Sequence, residues 1–166
     1  ASLDGSDGFA VNGIDPYDAS GYSVSGAGDI NGDGVHDIVI GALTLVQGGN
    51  QYTGEAYVVF GGVGVGAAGS IGLSSLDGET GFVMGGLADF DRFGWRVRSA
   101  GDVDGDGVGD LIIGASTASP DGRTSAGVSY VVLGASDIGA TGTLDVSTLN
   151  GENGFSAWGL DAIDKS

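Results

Sequence analysis

The stretch Asp102-Val103-Asp104-Gly105-Asp106-Gly107-Val108-Gly109-Asp110 decides the fold, together with its near-copy Asp29-Ile30-Asn31-Gly32-Asp33-Gly34-Val35-His36-Asp37. Each stretch places an oxygen-bearing side chain at loop positions 1, 3, 5 and 9, and a glycine at positions 4 and 6. Ca²⁺ takes about six to eight oxygen ligands, which a short loop supplies by curling around the ion. Glycine at position 6 permits the sharp turn, and the backbone carbonyl of position 7 fills a further ligand site.

The two loops therefore predict two Ca²⁺ ions per chain. The alternative is a pair of ordinary turns, because Asp, Asn and Gly are the common turn residues. Two loops in the same register favour the metal, since a turn needs no fixed ligand spacing. The predicted ligands are Asp29, Asn31, Asp33, Asp37 and the Val35 carbonyl in the first loop, and Asp102, Asp104, Asp106, Asp110 and the Val108 carbonyl in the second.

An EF-hand begins with the same spacing and has to be excluded. Its loop needs a bidentate glutamate at position 12 and a helix on each side. Position 12 is Ile40 in the first loop and Ile113 in the second. The residues after each loop form short runs rich in β-branched side chains, which are typical of buried strands. The loops are therefore predicted to lie in β-hairpins.

The composition describes an acidic, glycine-rich chain without cysteine. The 166 residues include 36 Gly and 2 Pro, and 22 Asp and Glu against 5 Lys and Arg give a net charge of −17. Such a surface repels phosphate backbones and anionic lipids, so we expect no nucleic-acid binding and no membrane insertion. Free calcium is high enough outside cells to fill weak loops, which favours a secreted protein, extracellular or at the cell surface.

The sequence repeats with a period of 73 residues. Leu3-Asp4-Gly5-Ser6-Asp7-Gly8-Phe9 returns as LDGETGF from Leu76 and as LNGENGF from Leu149. The same offset carries Asp29 to Asp102, and no insertion is needed. The chain divides into a first repeat at residues 1–75, a second at residues 76–148, and the single-strand start of a third at residues 149–166.

Each repeat contains four short segments that are typical of β-strands bounded by Gly, Asp and Ser turns. Four strands at a period longer than the about 40–45 residues of WD40 repeats indicate an all-β chain of β-propeller blades. We expect one blade of four antiparallel strands in residues 1–75 and a second in residues 76–148, plus an extra terminal strand. The predicted strands, grouped by type, are Gly8–Ile14, Gly81–Leu87 and Gly154–Leu160; Gly21–Gly28 and Gly94–Gly101; Asp37–Leu43 and Asp110–Ser116; and Glu55–Gly61 and Val128–Gly134.

The second repeat resembles an FG-GAP repeat, the blade unit of integrin α-subunit propellers and of many bacterial secreted proteins. Phe93-Gly94 before a strand, the calcium loop after Gly101 and the following Gly114-Ala115 carry the resemblance. The first repeat departs from the pattern at Ser20-Gly21 and at Asn31, which replaces an aspartate. The resemblance implies a calcium loop that joins the two inner strands of a blade, and adhesion to a protein or glycan partner.

Two blades do not complete a propeller, which closes with about four to eight. The chain has nine predicted strands, and the type at Gly8–Ile14 returns at Gly154–Leu160. Repeat units expose unsatisfied flanks unless they stack on neighbours. We expect self-association, in which a trimer would give six blades and a tetramer eight; the alternative is the rest of a longer propeller.

The expected function is a non-enzymatic calcium-binding interaction module. A lone histidine, His36, without a Ser or Cys partner pattern gives no catalytic triad. The alternative is the propeller portion of a secreted hydrolase or lyase. Its acid and base would then come from carboxylates outside the calcium loops, and the candidates are Asp15, Asp18, Asp89 and Asp91.

Two further residue types recur with the repeat. Asp18, Asp91 and Asp164 precede the second predicted strand, where a turn role is the simpler explanation. Tyr22 and Trp95 share a position after a glycine, and we expect them to pack at a blade interface.

Overall fold

The computed structural model describes residues 3–43 and 52–161, and this part of the chain is all-β. Helical residues within it are confined to three single turns of 3-10 helix, Leu73–Ser75, Pro120–Gly122 and Val146–Thr148. The strands are β1 (Ala10–Asn12), β2 (Ser23–Gly28), β3 (Asp37–Ala42), β4 (Glu55–Val59), β5 (Ser70–Gly72), β6 (Gly81–Gly85), β7 (Phe93–Gly101), β8 (Asp110–Ala115), β9 (Val128–Val132), β10 (Thr143–Leu144) and β11 (Gly154–Trp158).

Two sheets of four antiparallel strands form the body of the molecule, which confirms the predicted blades. Blade 1 consists of β2, β3, β4 and β6, and blade 2 of β7, β8, β9 and β11, each in that spatial order. Blade 2 has the same antiparallel pairing between consecutive strands as blade 1. The β-branched residues of β3, β4, β8 and β9 suit the buried middle of a sheet, where strands are covered on both faces.

Each blade takes its outer strand from the following sequence repeat. Strand β6 lies in residues 76–148 but pairs with β4 of blade 1, from Val59 opposite Gly81 to Glu55 opposite Gly85. Strand β11, from residues 149–166, closes blade 2 against β9 in the same way. The repeat boundaries at residues 75 and 148 therefore fall inside blades, just before an outer strand.

Sequence analysis missed two short strands, β5 and β10, in the glycine-rich connections after β4 and β9. Strand β10 adds to the outer edge of blade 1 by pairing in parallel with β6. Strand β5 pairs in parallel with β1, and this pair has the same register as β6 with β10, displaced by 73 residues. Strand β1, the extra terminal strand, is thus an outer strand without a blade of its own among the described residues.

Alternation of side chains along the strands builds a large core between the blades and a smaller cluster on the other side of blade 1. In β3, for example, Val39 enters the core between the blades, whereas Ile40 and Ala42 enter the smaller cluster. The inter-blade core contains Ala27, Ile30, Val39, Ala56, Val58, Phe60, Phe82 and Met84 around blade 1, and Phe93, Val97, Leu111, Ile113, Ala115, Val128, Tyr130 and Val132 of blade 2.

Candidate metal centre

Both acidic loops lie where the hairpins of the inner strands turn. Residues 29–37 (loop 1) connect β2 to β3, and residues 102–110 (loop 2) connect β7 to β8. The strand register shifts at Gly26–Gly28 before loop 1 and at Ser99–Gly101 before loop 2. A β-bulge of this kind bends the strand and re-aims the following residues. The two loops therefore leave their blades in the same way.

The aspartate at position 9 of each loop is buried and holds the backbone. In loop 2, the two oxygens of Asp110 accept hydrogen bonds from the Val103 N–H at 2.6 Å and the Gly134 N–H at 2.8 Å. Asp37 does the same in loop 1, from Ile30 at 2.9 Å and Gly61 at 2.8 Å. This carboxylate thus ties the start of the loop to the end of the third strand of its blade.

Burial determines the proton affinity of Asp37. Removal from water raises the pKa of this carboxyl above its usual range, because the charged form loses hydration. The two N–H donors, from Gly61 and Ile30, lower the pKa by less, and the nearby charges of Asp33 and Asp29 add to the rise. A cation in loop 1 would lower the pKa again, because its charge stabilises the ionised carboxylate.

Positions 1, 3 and 5 of loop 2 bring three carboxylates together. One oxygen from each of Asp102, Asp104 and Asp106 lies within 4.8 Å of the other two, and all three side chains are exposed. Backbone N–H groups orient them: those of Gly105 and Gly107 donate to Asp102, and that of Asp106 donates to Asp104. The loop therefore presents converging oxygens to solvent.

Loop 1 has an amide in place of one carboxylate, and backbone N–H groups orient its side chains as well. The Asp33 N–H donates to Asp29 at 2.9 Å and to the Asn31 side-chain oxygen at 3.1 Å. The Asn31 amide nitrogen in turn donates to Asp33 at 3.2 Å. The asparagine thus contributes an oxygen without a charge, so loop 1 carries one negative charge fewer than loop 2.

The residues present fit a hard divalent cation. Three carboxylate oxygens converge in loop 2. Among the described residues, the ion pair that the structure contains joins Arg123 to Asp121, and no Lys or Arg pairs with these carboxylates. Like charges this close repel one another unless a cation compensates them. Asp102, Asp104 and Asp106 would hold Ca²⁺ directly. The ligand roles of these three aspartates stay predictions, as do those of Asp110, the Val108 carbonyl and all five ligands of loop 1.

The loops are also joined to each other across the blades, which the sequence did not indicate. The Gly109 N–H at position 8 of loop 2 donates to the Asp29 carbonyl at position 1 of loop 1, at 2.7 Å. The Ala135 N–H after blade 2 donates to the Ile30 carbonyl at 3.0 Å. Gly109 suits this close approach, because a Cβ there would lie 3.2 Å from the Asp29 nitrogen and the backbone would have to shift by a few tenths of an ångström. The backbone of each centre is thus part of the blade contact.

Two of the carboxylates considered for catalysis, Asp18 and Asp91, accept hydrogen bonds within turns. Asp18 accepts a hydrogen bond from the Asp15 N–H at 2.9 Å, and Asp91 accepts one from the Ala88 N–H at 3.0 Å. Burial raises the pKa of the Asp91 carboxyl. The turn role predicted for Asp18 and Asp91 is confirmed, whereas Asp164 lies outside the described residues.

The recurring aromatics meet across the blades, as predicted. The rings of Tyr22 and Trp95 have centroids 4.9 Å apart, and the Arg92 guanidinium lies 5.1 Å from the Trp95 ring centre. Nothing helical in the described ranges has the length and apolar character needed to span a bilayer.

Comparison with known proteins agrees with this architecture. The FG-GAP repeat model matches residues 20–59 and 93–132, which are the three inner strands of each blade with its acidic loop. Integrin alpha-5 of Xenopus laevis is 34% identical over 99 residues, or 57% of this chain and 8% of that protein. Phosphatidylinositol-glycan-specific phospholipase D of Bos taurus is 32% identical over 123 residues, or 72% of this chain and 14% of that enzyme.

Integrin alpha-PS2 of Drosophila melanogaster is 31% identical over 130 residues, or 76% of this chain and 8% of that protein. The chain spans only 8% to 14% of the length of these three relatives. The family match covers both acidic loops and the three inner strands of each blade. The chain carries two FG-GAP repeats, one in each of its β-propeller blades.

Proposed function

We propose that the chain is a calcium-stabilised, non-enzymatic interaction module of a β-propeller. The observation that carries the proposal is the convergence of Asp102, Asp104 and Asp106 in a loop that has no cationic partner among the described residues. Calcium would neutralise carboxylates that otherwise repel one another, and would fix each hairpin of inner strands. One ion at 100 times its Kd adds about 2.7 kcal/mol to the free energy of unfolding for each site.

Isothermal titration calorimetry of the calcium-free chain tests this proposal. We expect two ions per chain, and a melting temperature that rises with calcium concentration because the ions bind the folded state. Asp33→Ala and Asp106→Ala should each remove one ion. Magnesium is the matched control ion, since it dehydrates reluctantly and demands a tighter octahedral site. A chain that binds no calcium, or whose stability ignores it, would contradict the proposal.

Loop 2 is expected to bind calcium more tightly than loop 1 because it carries one more carboxylate. Each loop can be titrated alone, loop 2 in Asp33→Ala and loop 1 in Asp106→Ala. Adding Asp104→Asn to the Asp33→Ala variant should weaken calcium binding by loop 2 roughly tenfold, which is about 1.4 kcal/mol. Adding Asn31→Asp to the Asp106→Ala variant should strengthen calcium binding by loop 1 by a similar factor. If loop 1 binds more tightly than loop 2, ligand charge does not set the order.

The same proposal includes a place and partners for the module. Millimolar calcium outside cells would fill loops of this type, so we propose an extracellular or cell-surface location. The net charge of −17 disfavours nucleic acid and anionic membranes as partners. A protein or glycan ligand for adhesion is part of this proposal, and the integrin likeness supports it by analogy. Self-association into a trimer or tetramer is a further part, which rests on the two blades of this chain against the about four to eight of a closed propeller.

A second candidate is the propeller portion of an enzyme. The 32% identity to a phospholipase D over 72% of this chain favours it, because that relative is an enzyme by name. In this case the two blades would serve a catalytic unit elsewhere in a longer protein. The isolated chain should then show no turnover of a phosphodiester substrate; turnover that is retained in Asp33→Ala and Asp106→Ala would instead place catalysis within these blades.

A further inference from the structure

The contact between the two blades shows which surfaces a blade of this chain buries. Every position has a counterpart 73 residues away in the other repeat, so each outward surface of the two blades can be compared with the buried contact between them. We call the side of blade 1 that faces away from blade 2 the N-face, and the side of blade 2 that faces away from blade 1 the C-face. Val97 is 3% exposed between the blades, whereas its counterpart Val24 on the N-face is 65% exposed.

The C-face is uncovered at matching positions. Val39 of blade 1 is fully buried in the inter-blade core, whereas its counterpart Ile112 in β8 is 38% exposed. Ile30 is fully buried, whereas Val103 is 51% exposed. Three apolar side chains whose counterparts are buried between the blades, Val24, Val103 and Ile112, are thus in contact with water. A second contact of the same kind would bury them.

The polar groups of the two faces complement each other as well. Blade 2 donates the Gly109 and Ala135 N–H groups to carbonyls of loop 1. The counterparts of these two donors are the N–H groups of His36 and Gly62, on the N-face side. The counterparts of the two acceptors are the Asp102 and Val103 carbonyls, on the C-face side. One end of the chain therefore presents donors where the other presents acceptors.

We propose that the C-face of one copy docks on the N-face of a second copy, in the way blade 1 docks on blade 2. This interface rests on the proposed self-association and specifies its surfaces. Because the two faces differ, the contact is head-to-tail and not two-fold, so it can build a ring. The centre of this contact between copies stays apolar. On the N-face, Val24 and Ile38 take the places of Val97 and Leu111. On the C-face, Val103 and Ile112 take the places of Ile30 and Val39.

Two substitutions on the N-face side are among those that make this contact weaker than the one inside the chain. Ser20 stands on the N-face where Phe93 is buried, so an aromatic ring is lost. His36 stands where Gly109 approaches the Asp29 backbone, and a Cβ at that position would lie 3.2–3.3 Å from the Asp29 nitrogen and oxygen. Loop 2 of the other copy would have to move by a few tenths of an ångström. The imidazole would then lie beside the carboxylates of that loop.

The outer strands impose one further condition on docking. Strand β10 pairs with β6, the outer strand of the preceding blade, and β5 is the counterpart of β10. In the docked pair, β5 of one copy would therefore pair with β11 of the other. That edge of β5 is already taken by β1, with Val11 opposite Ile71. Strands β1 and β11 are the same strand type, so they compete for one position.

Strand β1 consequently caps the N-face. It has three paired residues on β5, and Val11 packs on the small cluster of blade 1. Strand β11 pairs with β9 over five residues, from Gly154 to Trp158, and is held more firmly in its own blade. We infer that docking expels β1, and that this strand opposes association until it leaves.

Variants of the 166-residue chain that detach β1 test the proposal by sedimentation velocity in calcium, over a wide range of protein concentration. Ala10→Pro removes the N–H that donates to the Gly69 carbonyl at 3.0 Å, and Val11→Asp removes the apolar anchor. This double variant is expected to associate at least about tenfold more tightly than the parent chain, a difference of about 1.4 kcal/mol. Asn12→Asp is the control, because this exposed side chain leaves the pairing intact.

Face variants in the uncapped background then locate the contact. Val24→Asp on the N-face and Ile112→Asp on the C-face should each lower the association constant by about a hundredfold, since each buries an unpaired charge. An equimolar mixture of the two should form dimers and nothing larger, because one intact N-face and one intact C-face remain. Gly21→Ala and Phe155→Ser are second variants of the N-face and C-face if an aspartate prevents folding.

Each of the other possible outcomes of these experiments contradicts one part of the proposal. Association that neither face variant weakens would place the contact elsewhere and refute this interface, while self-association would stand. An uncapped variant that associates no better than the parent chain would refute the capping role of β1. Monomers at every concentration, with calcium bound in calorimetry, would refute both the interface and self-association but not the calcium sites.

Discussion

Replacing Asp110 by alanine is expected to lower the free energy of unfolding by about 3 kcal/mol even in chelator, where no calcium contributes. The carboxylate is fully buried, and it accepts hydrogen bonds from the Val103 and Gly134 N–H groups. Alanine would leave both donors without their acceptor, and each buried donor left unpaired costs about 1–3 kcal/mol. Urea unfolding followed by circular dichroism measures the loss.

The matched control is Asp106→Ala in the same loop. This side chain is exposed and accepts a hydrogen bond from the Val108 N–H at 2.8 Å. In chelator we expect a loss below about 1 kcal/mol, because water can replace an exposed acceptor. In calcium both variants should lose the stabilisation from loop 2. Equal stability of the two variants in chelator would show that Asp110 has no structural role apart from the ion.

This comparison separates two roles that the loop pattern merges. The sequence presents positions 1, 3, 5 and 9 alike, as four oxygen donors. The structure exposes the first three and buries the fourth under backbone donors from the far end of its blade. Gly134 lies 24 residues from Asp110, so its N–H could not be assigned as a partner from local spacing.

The sequence predicted the blades well because their determinants are local and repeated. Short β-branched runs, turn residues and the 73-residue period identified the four strands of each blade and the hairpins that carry the loops. Strands β5 and β10 escaped prediction, because Ser70-Ile71-Gly72 and Thr143-Leu144 are too short to show alternation. They are strands only because an outer strand lies alongside, which is a tertiary effect.

The contacts between the blades could be predicted from the sequence only in part. The aromatic pair of Tyr22 and Trp95 could be expected because both residues occupy one repeat position. The bond from the Gly109 N–H to the Asp29 carbonyl could not, because the counterpart of this glycine is His36 and no pattern marks it. A repeat identifies what two blades share, whereas the contact between them depends on where they differ.

Glycines at the blade contact give the second large effect. Gly94 has φ of +76° and lies close to the Glu55 carbonyl of blade 1, and an added Cβ would overlap that oxygen and lie 3.4 Å from the Gly41 Cα. Gly94→Ala is therefore expected to lower the free energy of unfolding by about 3 kcal/mol. Roughly 1 kcal/mol comes from the positive φ, and the remainder from forcing the blades apart.

Its counterpart Gly21 separates these two causes. Gly21 has φ of +87°, and no heavy atom of residues 3–43 and 52–161 lies within 4 Å of the position of an added Cβ. Gly21→Ala should therefore cost only the roughly 1 kcal/mol of backbone strain. Urea unfolding of dilute protein, where copies do not meet, should thus show a difference of about 2 kcal/mol between the variants.

Equal losses would mean that blade 2 can shift away from the Glu55 carbonyl at little cost, and that the inter-blade contact is a poor guide to how a second copy docks. A full difference, combined with weaker association of Gly21→Ala in the uncapped chain, would mean that the same close approach governs the contact inside the chain and the contact between copies.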